Sequence, residues 1–184
     1  MSRFANQKYF DDPASLAAAR KGIVAPQLVE LDAGLLFRFG SDAGNAMTGG
    51  WWLDLAGWNL VHEFAVLNGL SVPHAARVLS AVEHYWGGSR TPDQFNMRAL
   101  VRAAIAAPLL AWQGESAPQA HGAEMIAPPT TVNGRAFLQL NIPGLWDPAV
   151  NGRALAFGGL VDWHAEGDSH IFGMPGAPAG MMLN

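Results

Sequence analysis

An arginine near the end of an apolar, strand-like run is the residue whose setting most strongly suggests chemistry in this chain. Arg38 lies in the run LLFRFGS, where Gly40 and Ser41 follow it. A guanidinium fixed at a strand end can bind a phosphate through two parallel hydrogen bonds, and the backbone amides of small residues add donors. The run therefore predicts a phosphate-binding site at Arg38, Gly40 and Ser41. The alternative is an ion pair between Arg38 and a carboxylate such as Glu30 or Asp32.

Two adjacent tryptophans follow this run and could contact the same ligand. Trp51 and Trp52 come directly after Gly49 and Gly50. An indole ring can form a wall against a flat ligand ring, and paired glycines allow the backbone to approach that ligand closely. We therefore predict ligand contacts for Trp51 and Trp52. The alternative places one ring in the core and the other at the surface.

Two further residues could act on a bound ligand. Glu124 begins the apolar run EMIAPP, where a carboxylate can stabilise a developing positive charge or orient a hydroxyl. It can equally be an edge charge that protects a sheet margin. Gln139 alternates with Leu138 and Leu140 in a strand-like run, so it faces the opposite side. A buried amide needs hydrogen-bond partners, so Gln139 is either a structural hub or a ligand contact.

The sequence does not favour a metal site. His164, Asp168 and His170 alternate in a segment that could bind a metal if it were extended, but Gly167 interrupts it and a solvated hairpin is favoured. The His-Glu pair that begins at His62 resembles the start of a zinc-protease helix. The second histidine that such a site requires four residues later is absent.

Composition restricts the classes of partner. The 184 residues favour a single domain over residues 1–184, and a hydrophobic fraction of 50% favours a folded core. A formal net charge of −4 argues against a nucleic-acid surface held by charge, so an anionic ligand would be bound locally. Cysteine is absent, which excludes disulfides and thiolate chemistry.

The first 22 residues show neither a signal peptide nor a membrane anchor. We therefore expect no membrane partner. The expected location is the cytoplasm, or another cell after delivery by a secretion system that needs no signal peptide.

The spacing of apolar residues predicts an α+β fold. A capping aspartate, a proline and a closing glycine predict a helix over residues 12–22, and residues 28–39 predict one bent strand or two short ones around Gly34. Helical spacing predicts three helices, over residues 54–68, 71–88 and 91–105. Short apolar runs predict strands at residues 109–112, 124–126, 136–142 and 154–157. We expect a mainly antiparallel sheet, drawn from both ends of the chain, that packs against a helical middle.

The LFRFG run, the later GGWW and the Glu124 strand together resemble the ADP-ribosyltransferase and NAD-glycohydrolase toxin superfamily. In that group an arginine near the end of an early strand holds the NAD phosphates, and a later strand brings a glutamate or glutamine to the nicotinamide ribose. The resemblance implies that NAD is the substrate and that Arg38 holds its phosphates. It also implies that Trp51 or Trp52 covers a ring, and that Glu124 or Gln139 assists cleavage of the nicotinamide–ribose bond.

The resemblance further implies a bacterial toxin with an immunity protein as partner, acting by ADP-ribosyl transfer or by NAD hydrolysis. Gly122 stands where the family has a second acid or glutamine, and hydrolysis is less affected by this departure. The alternative is a non-enzymatic interaction protein, such as an immunity, adaptor or phage-derived structural protein. Its apolar tail, residues 173–184, would dock on a partner.

Overall fold

Strands and helices are interleaved through most of the chain. The structure is a computed structural model that describes residues 2–82, 97, 99–121 and 124–162. Its strands are β1 (Ile23–Leu31), β2 (Leu35–Gly40), β3 (Trp51–Asp54), β4 (Ala99–Ile105), β5 (Leu109–Ser116), β6 (Gln119–His121), β7 (Glu124–Ile126), β8 (Thr131–Val132), β9 (Arg135–Ala136), β10 (Leu138–Asn141) and β11 (Leu155–Asp162). Its helices are α1 (Gln7–Phe10), α2 (Pro13–Ala19), α3 (Ala43–Thr48), α4 (Leu55–Asn68), α5 (Val72–Leu79) and α6 (Pro148–Ala154).

Seven of these strands form one sheet. The strand order is β1-β5-β10-β3-β2-β4-β11, and each neighbouring pair is antiparallel. Two short hairpins, β6–β7 and β8–β9, lie outside this sheet. Because β10, β3 and β2 are neighbours, the strands that carry Gln139, Trp51 and Arg38 lie side by side.

Helices cover both faces of the sheet. On one face, Phe37 of β2 belongs to a buried cluster with residues of α4 and α5, among them Leu79. On the other face, Leu36 belongs to a second buried cluster with Ala46 of α3 and Val150 of α6. Successive side chains of a strand point to opposite faces, which is why neighbours in β2 belong to different clusters.

The junction between β3 and α4 is set by one residue. Asp54 ends β3, and its carboxylate accepts a hydrogen bond of 2.7 Å from the backbone N–H of Gly57 in the first turn of α4. This is an N-cap, which satisfies one of the amides that a helix start leaves unpaired. Gly69 ends the same helix in the left-handed conformation, with φ at 61°.

The predicted fold class is confirmed, because helices from the middle of the chain pack against a large antiparallel sheet. The helices predicted over residues 12–22 and 54–68 correspond to α2 and α4. The segment predicted as one bent strand or two short ones is two strands, β1 and β2, separated at Gly34 with φ at 125°. All four strands predicted after residue 108 are present.

The helix predicted over residues 91–105 is wrong in its second part, because Ala99–Ile105 form β4 between β2 and β11. Leu100 and Val101 are both buried, in clusters on opposite faces of the sheet. A central strand is covered on both sides, so its sequence is apolar at nearly every position. Periodicity alone does not separate such a run from a buried helix.

Several predictions concern residues beyond the described ranges. α5 ends at Leu79, short of the predicted limit at residue 88, and residues 83–96 lie outside the described part. The His164, Asp168 and His170 pattern and the tail, residues 173–184, also lie outside it. Among the helices that are described, none combines the length and apolar character that crossing a membrane requires.

Candidate functional site

A pocket of about 320 Å³ lies against the sheet face that α4 and α5 cover. Its floor comes from the neighbouring strands β2, β3 and β10, and includes Phe37, Trp51 and Gln139. The segment Lys21–Gly22 after α2 borders one side, and the residues at the end of α5 border the other. The volume is at the lower end of the range for small-molecule sites.

The pocket lies where two strands of the sheet separate. The register of β2 with β3 consists of Leu36 opposite Asp54 and Phe37 opposite Leu53. Arg38 follows Phe37 in β2 and lines the pocket, as does Trp52, which precedes Leu53 in β3. The opening between the strands thus brings residues of both sheet faces to one cavity.

Arg38 is held on the side of the sheet that α3 covers. Its Nη1 donates a hydrogen bond to the backbone carbonyl of Asn45 in α3. The guanidinium packs so closely over Gly49 that a Cβ at this position would overlap it. Its Nε is buried and has no hydrogen-bond partner in the part of the chain that the structure describes. Gly49 is therefore the place where a side chain would displace the arginine.

Within the described residues, no carboxylate pairs with Arg38. The partners considered from sequence, Glu30 and Asp32, instead bind Arg3, at 3.1 Å from Nη1 and 2.9 Å from Nη2 respectively. Burial lowers the pKa of Arg38 to about 10. The side chain therefore remains cationic at neutral pH, and an anion that entered the pocket would offset the cost of burying its charge.

The two tryptophans have different environments. Trp52 is 2% exposed, and its indole N–H donates to the carbonyl of Gly49 at 2.7 Å. Trp51 is half-buried, and its six-membered ring packs against Gly22. Both residues line the pocket. Trp51 is thus the ring available to stack on a ligand, whereas Trp52 is mainly a core residue with a satisfied indole.

Two glutamine amides hold the segment that borders the pocket. Gln139 donates from Nε2 to the carbonyl of Gly22 at 2.6 Å. Gln119 donates from Nε2 to the carbonyl of Lys21, also at 2.6 Å. Both glutamines line the pocket. Each amide nitrogen therefore donates to a protein carbonyl, and within the described residues neither amide oxygen accepts a hydrogen bond.

The structure brings four of the predicted site residues together and leaves two, Gly40 and Ser41, outside the pocket lining. Arg38, Trp51, Trp52 and Gln139 line one pocket. Gly40 and Ser41 are not among the lining residues: Gly40 packs against the backbone of Ala46 in α3, and the hydroxyl of Ser41 donates to Asp42 at 3.2 Å. Glu124 begins β7, and its side chain lies outside the described part.

Sequence reasoning missed several residues of this pocket. They are Lys21, Gly22, Phe37, Phe39, Leu53, Ala76, Ser80, Ala81, Val82, Met97 and Gln119. The apolar members resemble ordinary core residues, so no local signal distinguishes them. From sequence, Gly22 is only the glycine that closes the helix predicted over residues 12–22, and its contact with Trp51 depends on the tertiary fold.

The described lining residues include two cations, aromatic rings and amides, but no carboxylate. This composition suits a ligand that joins a flat ring to an anionic group.

Across the described ranges, no three histidine or acidic side chains lie together in a way that could hold a metal ion. No protein-family model, curated protein or solved structure matches this chain.

Proposed function

We propose that this protein binds NAD in the pocket and breaks the bond between nicotinamide and ribose. The observation that carries the proposal is that one cavity holds the Trp51 ring and the Arg38 guanidinium, which pairs with no carboxylate among the described residues. NAD combines two flat rings with a diphosphate, so it supplies a partner for each. The sequence resemblance to NAD-consuming enzymes rests on the same residues and supports the same substrate.

Arg38 is the residue proposed to bind the diphosphate. A guanidinium has five N–H donors, and within the described residues one hydrogen bond from Arg38 is recorded, to Asn45. A buried charge without an opposite charge is costly, and a phosphate group would supply that charge together with hydrogen-bond acceptors. Lys21 is exposed at the border of the same pocket and adds a second cation.

The size of the pocket limits how NAD could be placed. A volume of about 320 Å³ accommodates one ring with the groups next to it, not an extended dinucleotide. We place one ring against Trp51 and the diphosphate at Arg38. The remainder of the molecule then extends beyond the described pocket.

Bond cleavage is proposed for Gln139 and Glu124, the residues that the family resemblance implies. In hydrolysis, water replaces nicotinamide at C1 of the ribose, and the products are ADP-ribose, nicotinamide and a proton. Positive charge develops on the ribose as nicotinamide leaves, so a nearby oxygen acceptor or carboxylate stabilises the transition state. If a protein side chain replaces water as the nucleophile, the reaction is ADP-ribosyl transfer.

NAD consumption by the purified chain tests this proposal. We expect NAD loss with the wild-type chain, either alone or only when a cell lysate supplies an acceptor. The first result indicates hydrolysis and the second indicates transfer. Arg38→Met should reduce the rate at least tenfold, because it removes the cation proposed to hold the diphosphate.

Arg153→Met is the matched control, because Arg153 is exposed on α6 and does not line the pocket. This variant should consume NAD at the wild-type rate. If wild type consumes no NAD under either condition and does not bind it, the proposal is refuted. The non-enzymatic interaction protein then becomes the better hypothesis.

A further inference from the structure

The side-chain amide of Gln139 has a fixed orientation. Its Nε2 donates to the carbonyl of Gly22 at 2.6 Å, and the residue is 5% exposed. The nitrogen and oxygen of a glutamine amide lie on opposite sides of one planar group, so holding the nitrogen also fixes Oε1. Within the described residues, Oε1 accepts no hydrogen bond. Gln139 thus contributes a positioned acceptor to the pocket that it lines.

This acceptor and an aromatic ring share one neighbouring residue. A Cβ at Gly22 would lie 2.6 Å from Cη2 of Trp51, so the indole contacts the same residue whose carbonyl holds Gln139. Gln119 holds the preceding carbonyl, that of Lys21, which fixes this short segment at two consecutive residues. Trp51 and Gln139 thus line one pocket and both contact Gly22, so a ring that stacks on Trp51 would share this cavity with Oε1 of Gln139.

We propose that Gln139 is a specificity residue that selects a ring with an N–H donor at its edge. The inference rests on the proposed function, because it concerns the same pocket. It assigns Gln139 to recognition of the ring, beside any part in bond cleavage. Gly22 is then a positioning residue, since its carbonyl decides which end of the Gln139 amide faces the ligand.

The physical basis of this selectivity is the difference in free energy between Oε1 of Gln139 with a hydrogen-bond donor and Oε1 without one. An N–H at the ring edge would form a hydrogen bond with Oε1. A carbonyl or carboxylate at the same position would place two acceptors together in a buried site, which costs more than a hydrogen bond gains. Both rings of NAD carry such a donor, namely the carboxamide of nicotinamide and the amino group of adenine.

Two analogues of NAD remove one donor each and keep the diphosphate. Nicotinic acid adenine dinucleotide carries a carboxylate in place of the carboxamide, and nicotinamide purine dinucleotide carries a hydrogen in place of the adenine amino group. Calorimetric titration of the wild-type chain with NAD and with both analogues measures the discrimination. We expect one analogue to bind about tenfold more weakly than NAD. Its identity shows which ring contacts Trp51.

The same titrations with Gln139→Met assign this discrimination to the amide. In this variant, NAD and the weaker analogue should bind within twofold of each other. Gln113→Met is the matched control, because Gln113 is a half-buried glutamine of β5 that does not line the pocket. It should keep the wild-type preference.

The titrations distinguish failure of the inference about Gln139 from failure of the proposed function. If NAD binds but both analogues bind wild type equally well, the inference about Gln139 is wrong and the proposed function stands. If the preference persists in a folded Gln139→Met protein, the inference is also wrong. If NAD does not bind at all, the proposed function fails and this inference fails with it.

Discussion

Arg38 has few partners for its charge among the described residues of the protein. Arg38 is half-buried with its Nε shielded from water, yet the described residues around it offer a backbone carbonyl and no carboxylate. Burial lowers its pKa to about 10, which leaves it charged at neutral pH. Such a residue destabilises the free protein and becomes favourable when an anion binds.

Replacement of Arg38 by methionine should therefore separate stability from binding. Methionine has a similar length and no charge, so it removes the buried cation without leaving a large cavity. We expect Arg38→Met to raise the free energy of unfolding by about 1 kcal/mol, because loss of one hydrogen bond to Asn45 offsets part of the gain. Urea denaturation monitored by circular dichroism measures this difference.

Arg153→Met, on the exposed side of α6, should change stability by less than about 0.5 kcal/mol. A loss of stability in Arg38→Met, with no change in the control, would show that the Asn45 contact outweighs the cost of burial. Arg38 would then be a structural residue.

At the scale of single elements, Asp54 connects β3, which contributes to the pocket, to α4, which packs on the same face of the sheet. It is the last residue of β3, and its carboxylate caps α4 through the amide of Gly57. Asp54→Ala should lower the free energy of unfolding by about 1 kcal/mol, because it leaves the first turn of α4 without its cap. Thermal and urea unfolding measure the effect.

Asp54→Asn keeps a side-chain acceptor at the same position and should lose less than half as much stability. Equal losses in the two variants would contradict a capping role. They would indicate that the negative charge, rather than the hydrogen bond to Gly57, is what matters at this junction.

Elements with local signals could be predicted, and elements set by distant contacts could not. Asp12 and Pro13 predicted α2, and Asp12 does accept a hydrogen bond from the amide of Ala14. The same pair, Asp147 and Pro148, begins α6, so the sequence carried a signal for a helix that the prediction omitted. β4 is different, because its place in the centre of the sheet makes it apolar on both sides.

The candidate site shows the same division. Arg38 and Trp51 are near each other in sequence, and their chemical types were enough to select them. Gly22 and Gln119 could not be selected, because their roles depend on hydrogen bonds and ring contacts between distant segments. Gln139 was selected for its alternation with leucines, but its orientation follows from the position of Gly22.

For the molecule as a whole, sheet order is what assembles the site. β10 lies between β5 and β3, so a strand from the last third of the chain is inserted beside β3, which comes from its first third. Short connections predict which consecutive strands pair, but they give no information about such an insertion. The net charge of −4 is a sum over the whole chain. It gave no indication that Arg38 and Lys21 make the pocket locally cationic.

The pH dependence of global stability should report the titration of a half-buried histidine, His62. His62 lies on α4 with its ring edge-on to Trp58 at 5.4 Å, and burial lowers its pKa from 6.5 to about 4. The unfolded chain therefore takes up a proton at His62 at a higher pH than the folded chain does. The free energy of unfolding should decrease as pH falls from about 6.5 to about 4, and level off below that range.

His62→Gln removes this titration and should flatten the decrease over that interval, as measured by urea denaturation at intervals of half a pH unit. Asp147 does not affect the comparison of His62→Gln with wild type, because the hydroxyl of Tyr9, with the amide of Ala149, lowers the pKa of Asp147 from 3.8. The stability that this carboxylate contributes is lost only as pH falls below about 3.8. A His62→Gln protein that loses as much stability as wild type between pH 6.5 and 4 would show that another group carries the dependence.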